Sequence, residues 1–301
     1  MAGQDRSIVV GYDGSQCSRE ALTWAVDEAQ RRRRGLKIVY GLGWLVYGPP
    51  APTGEILAEG QLRAAAERVA EEAMDLVAQQ APELDVSNDV YVEVNAKAAL
   101  VEQSSKAELV VVGSRGRGGF KGLLLGSTST GVAMHAHCPV VVVHAADETR
   151  TPGPSAGRVV VGIDGSDRAM DALAFAFAAA SARGVGLTAV HGWTAPWIPA
   201  SDGLPLTGKG WRGLEEQENL VMSETMAGWG DKYPDVDVTR VIVEANPART
   251  LVEHSHRAAL VVVGSRGHGG FTGLLLGSVS QTVVQHATCP VAVIPGLGHR
   301  R

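Results

Sequence analysis

The chain has few of the residues that mark several large protein classes. Among its 301 residues are 3 cysteines, an odd number that cannot all pair within one chain, and Cys138 and Cys289 stand at equivalent places in two repeats. A disulfide framework is therefore not expected, and reduced thiols fit a cytoplasmic compartment. Basic excess is also missing: 27 Lys and Arg against 32 Asp and Glu leave a net charge of −5, and aromatics make up only 5%. That balance gives no electrostatic footprint for nucleic acid. No apolar run approaches the roughly 18 residues needed to span a membrane, and no basic segment leads into an apolar one near Met1. A soluble globular protein with neither a nucleic-acid nor a membrane partner is expected.

What the chain does contain is a repeat. Gly113-Ser114-Arg115-Gly116-Arg117-Gly118-Gly119, running on to Gly126-Ser127, recurs almost unchanged as Gly264-Ser265-Arg266-Gly267-His268-Gly269-Gly270 to Gly277-Ser278. The same offset of 151 residues relates Asp13 to Asp164, Val39 to Val190 and Glu102 to Glu253. A period of this length is a domain duplication rather than a solenoid. The expected domains are 1–146 and 158–301, joined by a polar linker, 147–157, broken by Pro152, Gly153 and Pro154.

Each half alternates strand and helix periods. In the first, strands are expected at Ser7 to Tyr12, Leu36 to Gly41, Val86 to Val94, Leu109 to Val112 and Val140 to Val143, with helices at Ser18 to Arg34, Leu57 to Gln80, Ala98 to Ser105 and Ser127 to Ala136. The second repeats the order: strands at Arg158 to Ile163, Val185 to His191, Val236 to Glu244, Leu260 to Val263 and Pro290 to Ile294, and helices at Ala169 to Arg183, Arg212 to Gly230, Ala248 to Ser255 and Ser278 to Ala287. The fold class is therefore α/β, with two tandem, doubly wound, parallel five-stranded sheets of the Rossmann-like kind. Ligands of such sheets bind beyond the carboxyl ends of the strands, where strand order reverses. Asp13 and Gly113 both fall just past strand ends.

A glycine-rich loop between an apolar strand and a helix can cradle phosphate with backbone N–H groups and the helix dipole. Gly113 and Gly116 allow close backbone approach, Gly126 is expected to enter the helix through a positive φ, and Ser127 occupies an N-cap position. The spacing matches neither GxxxxGK[ST] nor GxGxxG. Other candidates are weaker. The group His135, His137 and Cys138 is not preserved in the second copy, and His254 and His256 face different sides of a helix. The run Arg31 to Arg34 closes a helix, where cations complement the dipole. Trp193, Trp197 and Trp211 lie in or beside a segment that either covers the second site or packs into a core.

The pattern Gly-x2-Gly-x9-Gly-Ser, met twice, resembles the nucleotide-binding pattern of the ATP-binding universal stress proteins. The openings Val10-Gly11-Tyr12-Asp13-Gly14-Ser15 and Val161-Gly162-Ile163-Asp164-Gly165-Ser166, and the closings from Cys138-Pro139 and Cys289-Pro290, are similar to that family as well. The resemblance implies a tandem, ATP-binding regulatory protein of the stress or dormancy response, with Mg2+ accompanying the nucleotide, a homodimer and an unidentified protein partner. It implies a first site at Gly11, Asp13, Val39, the loop Gly113 to Gly119, Gly126, Ser127 and Thr128. The second would comprise Gly162, Asp164, Val190, the loop Gly264 to Gly270, Gly277, Ser278 and Val279. Arg117 and Lys121 face His268 and Thr272 in the repeat, which gives the first loop more fixed charge. No general base stands beside the phosphate loop, so at most slow hydrolysis or autophosphorylation is expected. Two alternatives remain open: an ATP pyrophosphatase or AMP-forming enzyme of a related fold, and a structural dimerisation module without nucleotide.

Overall fold

The computed structural model describes residues 6–42, 59–116, 125–144, 151–194, 208–267 and 276–296. The chain divides into two compact units with the joint at 146/147. In the first, β1 (Ile8–Gly11), β2 (Leu36–Gly41), β3 (Val86–Tyr91), β4 (Leu109–Gly113) and β5 (Val140–Val143) alternate with α1 (Gln16–Arg32), α2 (Glu59–Gln80), α3 (Ala96–Ser104) and α4 (Ser127–His135). The sheet order is β3-β2-β1-β4-β5, with every pair parallel. Strands buried on both faces read as unbroken apolar runs, and Leu109–Gly113 is buried at every position. Helices α1 and α2 contact each other, as α3 and α4 do, consistent with one pair on each face of the sheet.

The second unit runs β6 (Val159–Gly162), α5 (Asp167–Arg183), β7 (Leu187–Trp193), α6 (Gly208–Thr225), α7 (Trp229–Lys232), β8 (Val238–Glu244), α8 (Pro247–His254), β9 (Leu260–Gly264), α9 (Ser278–His286) and β10 (Val291–Ile294). Its order is β8-β7-β6-β9-β10, again all parallel. In both units the chain reverses direction across the sheet between the first and fourth strands, β1/β4 and β6/β9. No helix among the described residues is long and apolar enough to cross a membrane.

Several boundaries differ from the expected ones, each for a local reason. The single helix expected over Arg212 to Gly230 is two, because Gly228 takes φ 76 and turns the chain between α6 and α7. β3 stops at Tyr91, where Leu42 pairs instead with Asn95 in an isolated bridge. Of the segment read as a linker, the described part, 151–157, is held to the end of α8. Ser155 is buried with its Oγ 2.7 Å from His254 Nδ1, and the Gly153 N–H donates to the His256 carbonyl.

Candidate functional site

In the first unit the ends of β1, β2 and β4 and the start of α4 enclose a cleft of about 620 Å³. Gly11, Asp13, Val39, Gly113, Arg115 and Gly116 line one side of it, and Gly126, Ser127 and Thr128 the other. The equivalent cleft in the second unit, about 450 Å³, is lined by Gly162, Asp164, Val190, Gly264, Arg266 and Gly267, with Gly277, Ser278 and Val279 opposite. The structure therefore brings together most of the residues that the repeat singled out. Arg117 to Gly119 and His268 to Gly270, with Lys121 and Thr272, lie outside the described residues, as does Trp197.

Ser114 is buried and Ser265 half-buried, and neither lines its cleft. Their N–H groups donate to the carbonyls of Val143 and Ile294, and their own carbonyls accept from the N–H groups of Gly126 and Gly277. These bonds fix the loop between the fourth and fifth strands. The carbonyls of Val39 and Val190 are likewise engaged, by the N–H groups of Tyr12 and Ile163.

The glycines have distinct reasons. A Cβ on Gly116 would meet Asp13 Oδ2, and one on Gly267 would meet Asp164 Oδ2, so each loop glycine lets the chain close against the carboxylate. A Cβ on Gly113 would stand 2.6 Å from the Cys17 carbonyl oxygen. Gly126 corrects the expectation of a positive φ: it has φ −74 and ψ 153, and Gly277 has φ −70 and ψ 156, values open to any residue. Each is itself the N-cap, so Ser127 and Ser278 are the first helical residues and not the caps. A Cβ at either glycine would meet nothing closer than 3.5 Å. Internal packing therefore does not demand glycine there.

Capping separates these helices from others. Ser15, Asn95, Ser166 and Asn246 each accept a first-turn N–H of α1, α3, α5 and α8 with their side chains. Helices α4, α9 and the single turn α7 have no side-chain cap, and of these α4 and α9 open on the clefts. Their first N–H groups also lack an intrahelical acceptor, as in any helix, and so stand at the cleft with the positive end of the dipole.

Asp13 and Asp164 sit in turns of the same kind. The N–H groups of Ser15 and Ser166 donate to Oδ1 of each at 3.0 Å. The hydroxyls differ: Ser166 Oγ donates to Asp164 Oδ1 at 2.7 Å, while Ser15 Oγ reaches across to the Arg115 carbonyl at 3.4 Å. In the first half the Asp13 N–H meets Ser18 Oγ, a contact that Ala169 cannot make.

Other parts of both clefts escaped the sequence reading although they obey the same offset. Ser129 and Ser280 donate from buried hydroxyls to the carbonyls of Gly113 and Gly264, tying helix to strand end. Leu100 and Leu251 pack on Gly11 and Gly162, where a Cβ would stand 2.9 Å from a leucine methyl. Gly41 and Gly192 admit the start of α3 and α8 beside the second strand; a Cβ there would fall 2.5 Å from Ala96 Cα or 2.8 Å from Pro247 Cα. Trp193 is buried at the end of β7.

Cysteine and histidine chemistry is subdued. Burial pushes the thiols of Cys138 and Cys289 up to about 12, as befits small buried side chains, and Cys17, Cys138 and Cys289 are all buried thiols outside any disulfide. Among the described residues no group of three or more His, Cys, Asp or Glu could hold a metal ion.

The universal stress protein family model matches residues 6–144 and 156–295. A universal stress protein of Mycobacterium tuberculosis is 39% identical over 294 residues, covering 95% of each chain. One from Mycolicibacterium smegmatis is 41% identical over 302 residues, covering 98% of each. The crystal structure of a universal stress protein from Archaeoglobus fulgidus shares the fold with a TM-score of 0.64 at 21% identity, over 97% of this chain and 99% of that one. With the repeated loop, the paired aspartates and both sheets in this order, the chain belongs to the universal stress protein family, one family domain in each half.

Proposed function

We propose that this protein is an ATP-binding regulatory protein, with one nucleotide in each cleft and a conformation or partner choice that depends on occupancy. The observation that carries the reading is the uncapped opening of α4 and α9 on glycine at the clefts, where α1, α3, α5 and α8 are capped by their own side chains. Uncapped N–H groups and a dipole end are suited to phosphate oxygens. Asp13 and Asp164 offer acceptors for ribose hydroxyls or an exocyclic amine, and Gly11, Val39, Gly162 and Val190 the wall for a base. The residues from Gly113 to Gly119 and from Gly264 to Gly270 would cover the phosphates.

Mg2+ fits this arrangement only as a companion of the triphosphate, since each described cleft brings one carboxylate and no cage of protein ligands. Neither described cleft sets a second carboxylate or a histidine beside the uncapped helix, which favours retention of ATP with at most slow hydrolysis or autophosphorylation. A cytoplasmic homodimer acting on a protein partner completes the reading.

Denaturing the purified protein and identifying the released ligand by chromatography and mass spectrometry tests it. ATP near two equivalents per chain is expected. Turnover of added ATP to AMP and pyrophosphate would favour the enzyme reading, and no retained or added nucleotide bound at all would favour the structural module. Sedimentation equilibrium tests the dimer, which a monomer mass would exclude.

A further inference from the structure

The two clefts share a frame but differ where a phosphate chain would leave the helix. The second residue of α4 is Thr128 and that of α9 is Val279, and both line their clefts. These side chains have nearly one shape, so the exchange replaces a hydroxyl with a methyl and little else. Among the described residues, the Thr128 hydroxyl makes no hydrogen bond within the chain. It stands beside the N–H groups that no side chain caps.

A second difference lies one turn further along α4. Gly131 sits inside the helix, where glycine costs about 1 kcal/mol relative to alanine. The Lys97 stem lies against it: a Cβ on Gly131 would fall 2.9 Å from Lys97 Cγ and nearer still to Cδ. The aliphatic stem of Lys97 thus crosses α4 in a notch three residues from Thr128, on the same face. Ala96 and Leu100, beside it on α3, line the cleft. Lys97 is exposed and has no ion-pair partner among the described residues. In the second half the corresponding residues are Ala248 and Thr282, so that cleft has neither the cation nor the notch.

Resting on the nucleotide reading above, we propose that the clefts differ in the ligand they select. The first prefers nucleotides with a longer phosphate chain, through the Thr128 hydroxyl and the Lys97 ammonium. The second holds nucleoside mono-, di- and triphosphates with little distinction, because Val279 and Ala248 add nothing for further phosphates. A charge-assisted hydrogen bond of this kind is worth roughly tenfold or more in affinity.

The test uses the full chain with one cleft filled. Gly277→Phe and Gly126→Phe place a ring in the second or the first cleft at positions whose φ and Cβ surroundings accept a side chain. AMP and ATP, each with Mg2+, are then titrated calorimetrically into each variant. The ratio of ATP to AMP affinity is expected to be roughly tenfold or more higher in the first cleft than in the second. Thr128→Val and Lys97→Ala each lower that ratio, and Val279→Thr raises it in the second cleft. Because Thr128→Val and Val279→Thr keep side-chain shape, an unchanged melting temperature certifies the fold. Equal ratios in the two clefts, or a ratio unmoved by both Thr128→Val and Lys97→Ala, overturn the inference and leave the nucleotide reading standing. Failure of the unsubstituted protein to bind either nucleotide overturns both.

Discussion

The two halves solve one topology with different interiors. In the first, the end of α1 carries a partly buried ion network: Arg32 Nε donates to Glu28 at 2.6 Å and Arg32 reaches Glu108 at 3.1 Å, while Arg34 donates to Glu108 at 2.6 Å. Glu28 is 1% exposed. The second half has Ala179 and Ala259 in place of the two glutamates and Val185 in place of Arg34. It has instead an aromatic stack, with Phe177 at 5.2 Å from Trp229 and 5.4 Å from Tyr233. The ends of the strands, by contrast, keep their glycines, aspartates and serines in register. Strand order and the cleft frame thus depend on small residues at fixed places, whereas the surroundings of a helix accept either charge or ring stacking.

The comparison is broken most severely at Phe177. Phe177→Ala removes a fully buried ring from the stack and is expected to destabilise the second unit by about 3–5 kcal/mol, whereas Val26→Ala at the same place in the first costs about 2 kcal/mol. Peptide-resolved hydrogen exchange reads the two units separately, and equal losses in α1 and α5 would contradict the asymmetry. Next comes the pair Arg32→Ala and Arg183→Ala, which occupy one position of the repeat. The first removes the 2.6 Å partner of the buried Glu28 carboxylate and should cost about 3 kcal/mol. Arg183 donates to the Ala179 carbonyl within its own helix, and its removal should cost about 0.5–1 kcal/mol. The double substitution Glu28→Ala, Arg32→Ala should recover part of the loss, since the second half folds with alanine at Glu28's place; no recovery would mean that the network is more than a compensated burial.

The alternation of strands and helices and most of each cleft were legible because the repeat doubles every signal. Gly116 alone could serve a turn, but Gly116 and Gly267, each in step with an aspartate, could not both do so by accident, and both close on that aspartate. Helix starts were read less well. Ser127 has the chemistry of a cap, yet the cap is Gly126: the helix opens one residue earlier than the serine suggests, and composition alone does not distinguish the two. Leu100 and Gly41 were missed for another reason: an apolar residue that closes a cleft looks like core until the strand-end glycine beside it is seen to need the space. The split between α6 and α7 depends on the φ of Gly228, which nothing in the apolar spacing announces.

The smallest expected difference is in acid response, and it sharpens the comparison because only one half can titrate at the position concerned. His254 in α8 is buried against Ser155, and burial pushes its pKa below the ordinary histidine value, with the Glu253 carboxylate opposing in part. The equivalent residue in the first half is Gln103, which carries no charge at any pH. An unfolded histidine takes up its proton near pH ~6.5. Since the folded form resists that proton, the unfolded state binds more protons below this pH, and stability must fall as the pH drops through it. Above it the group contributes no pH dependence. Exchange protection at the end of α8 and in the stretch 151–157, corrected for intrinsic rates, should therefore decline between pH 7.5 and 5.5 more than at the end of α3. His254→Gln should remove that extra decline while keeping a hydrogen-bonding partner for Ser155. A decline that survives this variant would show that the buried imidazole is not its source.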